Sequence, residues 1–337
     1  MNIEASSNRN VATLPGLPPG EPKPALRPAA VRARVAEMLE SGVTLKRIAV
    51  EARTPFLLLD RWHKGEEMPS VMEALALWLS ELDLEVSALS GDFVETPTAR
   101  RIIKAFEQAR LDKNGKGQRG IALIYGASGI GKSETAAYYQ TKENHARDYG
   151  AWPVITVRAE GGESFAALLL KIVDTMEEMG AVHYGGMKPV EVISQRIPSG
   201  GLLIIDEAQL LARRRMDELR IFPDMHGIAI AFMGNMAGYK SLEAAKIGQI
   251  ASRVGGARVI VDMPTEDDVD ALLDAWDIRG RKVRELALMI GLQDGGLRYL
   301  SDTARTAKTY AKANGKPVDE RLFKAAAVSC GAWGGIQ

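Results

Sequence analysis

The sequence predicts an α/β protein, a parallel five-stranded sheet held between helices, with all-helical segments before and after it. Three observations predict it. Five short apolar runs, at 121–125, 152–157, 202–205, 227–232 and 258–262, alternate with helical stretches, and that order calls for a parallel sheet covered on both faces. A glycine-rich turn directly follows the first run. Strand signals are missing both from 29 to about 90 and beyond 264, where helical periodicity takes over.

The elements follow in order. Residues 1–28 are rich in Pro, Asn and Ser and too poor in large apolar residues to build a core, so this arm is expected to be disordered. Val31, Val35 and Leu39 then recur on one helical face, which Ser41-Gly42 ends. Thr44 fits the N-cap of a second short helix, and Thr54-Pro55 fits the cap and first turn of a third, running through Lys64. Two short helices around a tight turn suggest a helix-turn-helix. Lys46, Arg47, Arg61 and Lys64 would then meet DNA phosphates or base edges. A small helical bundle that docks a protein is the alternative, since Phe56-Leu57-Leu58-Leu59 is strongly apolar.

A linker at 91–97 leads into a helix over 98–110. Helices are expected at 164–179, 189–197 and 237–249 within the sheet region, and at 265–276, 282–290, 297–313 and 319–328 beyond it.

Composition bounds the function. The chain has 337 residues, 46% of them hydrophobic, enough for two or three domains with buried cores. Its apolar runs are too short to cross a bilayer, and the N-terminus lacks a secretory pattern, so cytoplasmic residence and no membrane partner are expected. Cys330 stands alone and the four histidines lack metal-ligand spacing, which points away from disulfides and structural zinc. The 43 basic and 43 acidic side chains cancel, so nucleic-acid affinity must come from local patches. Basic residues predominate before residue 65; every charged residue in 66–95 is acidic.

The residues with the clearest chemistry are Gly126, Ala127, Ser128, Gly129, Ile130, Gly131, Lys132 and Ser133, followed by Glu134. After a buried strand, this octapeptide is a P-loop: its backbone N–H groups and the next helix N-terminus face a polyphosphate. Lys132 can reach the outer phosphates and Ser133 can ligate magnesium. The strand at 202–205 delivers Asp206 towards the magnesium and Glu207 towards a water molecule, as general base or orienting group. Asn235 ends the apolar run 228–234 and would hold that water if its strand lay between the other two. Arg253, with Arg258 as competitor, would act on a neighbouring subunit's γ-phosphate, and Arg298 would fold over the nucleotide from the C-terminal helices. Arg213-Arg214-Arg215 fits a solvated helix face better than a phosphate stripe.

With these motifs in this order ahead of a helical ending, the chain resembles an AAA+ ATPase. The segment Phe93-Val94-Glu95-Thr96-Pro97-Thr98, the continuation Lys132-Ser133-Glu134-Thr135-Ala136-Ala137 and the run Leu203-Ile204-Ile205-Asp206-Glu207-Ala208 are similar to the family of phage Mu-type B transposition proteins, from about Val31 onward. The resemblance implies ATP and Mg2+ as ligands, and double-stranded DNA, a transposase and copies of the same chain as partners. In that family, ATP-loaded protein assembles into filaments on DNA with little sequence preference and hands the target to the transposase, and hydrolysis releases it. The implied division is a helix-turn-helix domain at 29–90, linker and entry helix at 91–118, ATPase core at 119–263 and helical lid at 264–337. An AAA+ loader or remodeller, using its N-terminal helices as a dock, is the alternative. The Pro-rich arm lies outside the family pattern.

Overall fold

The computed structural model describes residues 27–40, 43–111, 113, 115–145, 151, 153–179, 186–244, 257–293 and 295–332. Most of the arm expected to be disordered, and the Ser41-Gly42 stop, lie outside them.

Alternation along the strands builds the centre. β1 (Ile121–Gly126), β2 (Val154–Arg158), β3 (Leu202–Asp206), β4 (Ala229–Gly234) and β5 (Arg258–Val261) form one parallel sheet in the order β2-β3-β4-β1-β5. Successive side chains point to opposite faces, and both faces are dry. Ile121, Leu123, Leu203, Ile205, Ile230 and Phe232 join one core cluster; Ala122, Ile124, Leu202, Ile204, Ala231 and Met233 join the other. The first face is covered by α7 (Phe165–Glu178) and α8 (Pro189–Arg196), the second by α5 (Pro97–Arg110) and α6 (Lys132–His145). β4 lies between β3 and β1, the arrangement that the expectation for Asn235 requires.

Before the sheet, α1 (Pro28–Glu40), α2 (Leu45–Glu51), α3 (Phe56–His63) and α4 (Pro69–Asp92) close around Val31, Ile48, Leu59, Trp62 and Leu75. Thr44 caps α2 as its position suggests, accepting from the Arg47 N–H at 3.3 Å. The cap expected at Thr54 is not made. Its hydroxyl donates back to the Ala52 carbonyl at 3.2 Å, so Pro55 occupies the N-cap position without a side-chain bond. At 24 residues α4 extends into the stretch read as linker, and α5 begins at Pro97 with Thr96 as its cap.

Between β3 and β4 lie the short α9 (Arg213–Glu218) and a π-helical turn, and α10 (Met236–Ala244) follows β4. After β5, α11 (Glu266–Ala275), α12 (Arg281–Gly291), α13 (Gly296–Ala313) and α14 (Glu320–Ser329) pack on a separate core including Val269, Ile290, Leu300, Ala307 and Phe323. Asp268 joins this unit to α5. It is fully buried, and it accepts from the N–H and hydroxyl of Thr98 at 2.8 Å each and from those of Thr265 at 3.0 and 2.8 Å. Among the described residues, no helix is long and apolar enough to cross a membrane.

Candidate active site

The end of β1 and the start of α6 build the site. Gly129 and Gly131 take positive φ values of 74° and 89°, a conformation that costs glycine little and lets the backbone curl. At Gly126 a side chain would come within 2.6 Å of the Val261 carbonyl oxygen, so the turn needs a bare Cα there too. Nothing lies within 4 Å of where a Gly131 Cβ would stand, which leaves that side of the turn open. Lys132 Nζ donates to the carbonyls of Gly126 and Ala127 at 2.9 and 2.8 Å. The Ser133 hydroxyl donates to Asp206 Oδ2 at 2.7 Å, bringing together two oxygens from residues 73 apart. Glu134 is exposed in the first turn of α6, and Thr135 is buried with its hydroxyl on the Gly131 carbonyl at 2.7 Å.

The acidic pair diverges. Asp206 Oδ1 accepts from the Glu207 N–H at 2.9 Å, while Glu207 has a left-handed backbone, φ 53°, uncommon outside glycine. The Glu207 carboxylate accepts a hydrogen bond from the Gln209 side-chain amide and lies 3.7 Å from the exposed Arg158 guanidinium. Asn235 Oδ1 accepts from the Gly238 N–H at 2.9 Å, capping α10, and the residue borders the same cavity as the P-loop. Capping and a polar-group role at the site are compatible, because the Asn235 amide nitrogen remains a donor.

A cavity of about 600 Å³ runs from the P-loop to the C-terminal helices, within the range that holds a nucleotide. Arg298 and Arg305 on α13 border it, and Arg298 is exposed. The lining also includes Phe93 stacked on Tyr138, with ring centroids 4.1 Å apart and planes 12° from parallel, and Trp276, with the Arg305 guanidinium 5.7 Å from its ring centre. These flat and cationic groups suit a purine base. Sequence reasoning missed Tyr138, Trp276, Arg305 and Gln209 as site residues. Phe93 had a signal, its place in the linker segment, but no assigned role.

The basic residues assigned to DNA divide. Lys46, Arg61 and Lys64 are exposed; Arg61 pairs with Glu66 at 2.6 Å and Lys64 with Asp60 at 2.7 Å. The Arg61 hydrogen bond holds the Glu66 carboxyl below its usual range. Arg47 is a correction. Only 8% exposed, it donates to the Asn144 carbonyl at 2.8 Å and to Glu51 at 2.6 Å, so it fastens α2 to the end of α6 and faces no external ligand. A cation suits a helix C-terminus, and the Asn144 amide is itself tied to Val154 of β2. Arg253 and Ser252 lie outside the described residues. Arg258 is exposed at the start of β5, at the sheet end away from the P-loop. Arg214 and Arg215 pair with Glu218 on α9.

The residues present fit a magnesium nucleotide. Ser133 Oγ and the Asp206 carboxylate form a hard-oxygen pair of the kind magnesium takes, beside an open glycine turn with a lysine at its end. Sheet order, P-loop and acidic strand end define the class: an AAA-type ATPase domain with a helical unit after it. Comparison with known proteins narrows this. Residues 115–238 match the AAA domain family model, and residues 252–329 match that of the C-terminal part of the Mu B transposition protein. The chain is 28% identical over 310 residues to the ATP-dependent target DNA activator B of Escherichia phage Mu, covering 88% of this chain and 93% of that one. It is 28% identical over 234 residues to the Mu-like prophage FluMu DNA transposition protein B of Haemophilus influenzae, covering 66% and 73%. Among solved structures, the Aeropyrum pernix ORC2 protein in its ADP form aligns at a TM-score of 0.48 and 17% identity, over 68% of this chain and 66% of that one. The chain is thus similar to the Mu B proteins, with a match to the AAA domain followed by a match to the C-terminal part of Mu B.

Proposed function

We propose that this chain is an ATP-dependent DNA-binding protein of DNA transposition, acting in the cytoplasm of a bacterial host. Loaded with ATP it assembles along double-stranded DNA with little sequence preference, presents that DNA to a transposase and stimulates it, and hydrolysis to ADP and phosphate releases the assembly. The observation that carries this reading is the pairing of Ser133 with Asp206 beside Lys132, in a chain whose C-terminal part matches the Mu B family.

In this reading Lys132 and the 126–134 backbone hold the phosphates, Ser133 and Asp206 hold magnesium, and Glu207 orients or deprotonates the attacking water with Asn235. Magnesium, when bound, neutralises phosphate charge. Arg298 contacts the nucleotide from the lid, and Arg253 serves the site of a neighbouring subunit. Residues 29–90 are the DNA-binding domain, with Lys46, Arg61 and Lys64 on phosphates; 91–118 are linker and entry helix, 119–263 the ATPase core and 264–337 the lid.

Light scattering and electron microscopy of protein with duplex DNA test the reading. ATP should drive assembly and ADP should not; equal assembly with both nucleotides would remove the timer role of hydrolysis.

One observation favours a second reading, an AAA+ loader that docks a protein partner. Val50, Phe56 and Leu57 are exposed on α2 and α3, Leu57 by 74%. Replacing Arg61 and Lys64 by Glu separates the two: loss of salt-sensitive DNA binding supports the DNA reader, unchanged binding the dock.

A further inference from the structure

Gln209 stands two residues beyond Glu207, outside the cavity wall, with both ends of its amide engaged. Its nitrogen donates to Glu207 Oε2 and its oxygen accepts from the Asn235 N–H at 3.2 Å. Chemistry fixes this orientation: a carboxylate only accepts and a backbone N–H only donates, so the amide cannot be turned round. The half-buried side chain thereby ties the end of β3 to the end of β4.

The surroundings are shaped to it. A Cβ on Gly234 would stand 2.6 Å from Gln209 Oε1, and one on Gly238 would collide with Gln209 Cβ, so two glycines keep the slot open. Among the described residues, the other Glu207 oxygen faces Arg158, 3.7 Å away and 75% exposed, too distant and too solvated to set the angle of the carboxylate. Orientation of Glu207 therefore falls to one neutral donor.

We propose that Gln209 is a positioning residue for ATP hydrolysis. It anchors Glu207 through Oε2 so that Oε1 is presented to the attacking water, and it sets that carboxylate in register with Asn235. The inference rests on the reading of Glu207 as the water-directing group. It assigns Gln209 no contact with nucleotide.

The test uses the full chain with duplex DNA and compares Gln209→Leu, which removes both bonds, with Gln209→Glu, which keeps the acceptor for Asn235 and loses the donor. Steady-state phosphate release gives kcat and KM, a fluorescent ATP analogue gives affinity, and a melting curve reports folding. Both variants should lose at least about tenfold in kcat, with KM and analogue affinity within about threefold of the parent, the pattern of a transition-state effect. In single-turnover measurements on a Glu207→Gln background, Gln209→Leu should cost less than about twofold more, because the second residue acts through the first.

Three results overturn the proposal: near-parental kcat in either variant, a loss confined to KM or affinity, or a double variant losing the full product of the single effects. If Gln209→Leu does not fold, the isosteric Gln209→Glu decides. A Glu207→Gln protein that turns over as fast as the parent would sink the reading of Glu207 itself, and this proposal with it. A slow Glu207→Gln beside a fast Gln209→Leu would sink the proposal alone.

Discussion

The Gly295 N–H donates to the Ser128 carbonyl at 2.9 Å, so the turn entering α13 is bonded directly to the P-loop. Packing is as close as the bond implies. A Cβ on Gly129 would stand 2.6 Å from the Gly295 Cα, backbone against backbone, where no side chain can yield. The helix that carries Arg298 and Arg305 therefore starts from the loop that would hold the phosphates, and movement of either must be felt by the other.

Gly129→Ala tests that contact. The collision and the positive φ together should lower stability by about 1–3 kcal/mol and weaken binding of magnesium ATP by at least about tenfold. Gly161→Ala is the control, since nothing lies within 4 Å of its Cβ position, and it should stay within about 0.5 kcal/mol of the parent. Denaturant melts and a nucleotide titration read both.

Lys132 and Glu207 should separate binding from hydrolysis. Lys132→Ala removes the cation at the phosphate turn and should abolish nucleotide binding and assembly on DNA. Glu207→Gln should bind ATP within about threefold of the parent, with turnover at least about a hundredfold slower and long-lived assemblies on DNA. Equilibrium binding, phosphate release and electron microscopy after an ADP chase distinguish these outcomes.

Asp268 should govern how the C-terminal helices stay seated on α5. Burial alone would push its carboxyl up, but the four hydrogen bonds from Thr98 and Thr265 outweigh that and hold it below its ordinary value. A carboxyl depressed on folding contributes stability above its unfolded pKa, about 3.9, and loses that contribution as pH falls through the lower folded value. Asp268→Ala strands the buried Thr98 N–H and removes the acceptor for Thr265, and should cost about 2–4 kcal/mol at neutral pH. Urea melts of the parent and the variant at pH 7 and towards pH 3 should show the gap closing with acid.

Arg47 should behave as a structural residue. Removing a buried charged donor from the Asn144 carbonyl and from Glu51 should cost about 1.5–3 kcal/mol in Arg47→Ala. Exposed Lys46→Ala should leave stability within about 0.5 kcal/mol. A slope of DNA affinity against salt that shifts in Lys46→Ala but stays parental in folded Arg47→Ala would fit this division.

The contrast between Lys46 and Arg47 shows what the sequence could and could not convey. A phosphate turn and an acidic strand end need particular residue types at fixed local spacing, so 126–133 and 206–207 were readable, and the five apolar runs fixed the parallel sheet. Facing is another matter. A run of basic residues carries no mark of which one turns inward, and Arg47 does so because a helix C-terminus happens to lie beside it. Bonds made across the fold were equally hidden: Thr98 and Asp268 are 170 residues apart, and Gln209 reaches Asn235 only because β3 and β4 are neighbours. The Phe93–Tyr138 stack and the placement of Trp276 likewise depend on how the linker and the C-terminal helices close over the sheet. At Thr54 the local signal itself misled, because a hydroxyl free to cap the next helix bonded to the preceding turn instead.

The central claim is that Ser133 and Asp206, beside Lys132, organise one magnesium-dependent ATP site. Isothermal titration of the full chain with ATP, with magnesium and then with excess chelator, tests it most directly. One site per chain is expected with magnesium, weakened at least about tenfold by the chelator and likewise in Asp206→Ala, since both remove the same bridge to the phosphates. Affinity that ignores magnesium and Asp206, or no measurable binding at all, would contradict it.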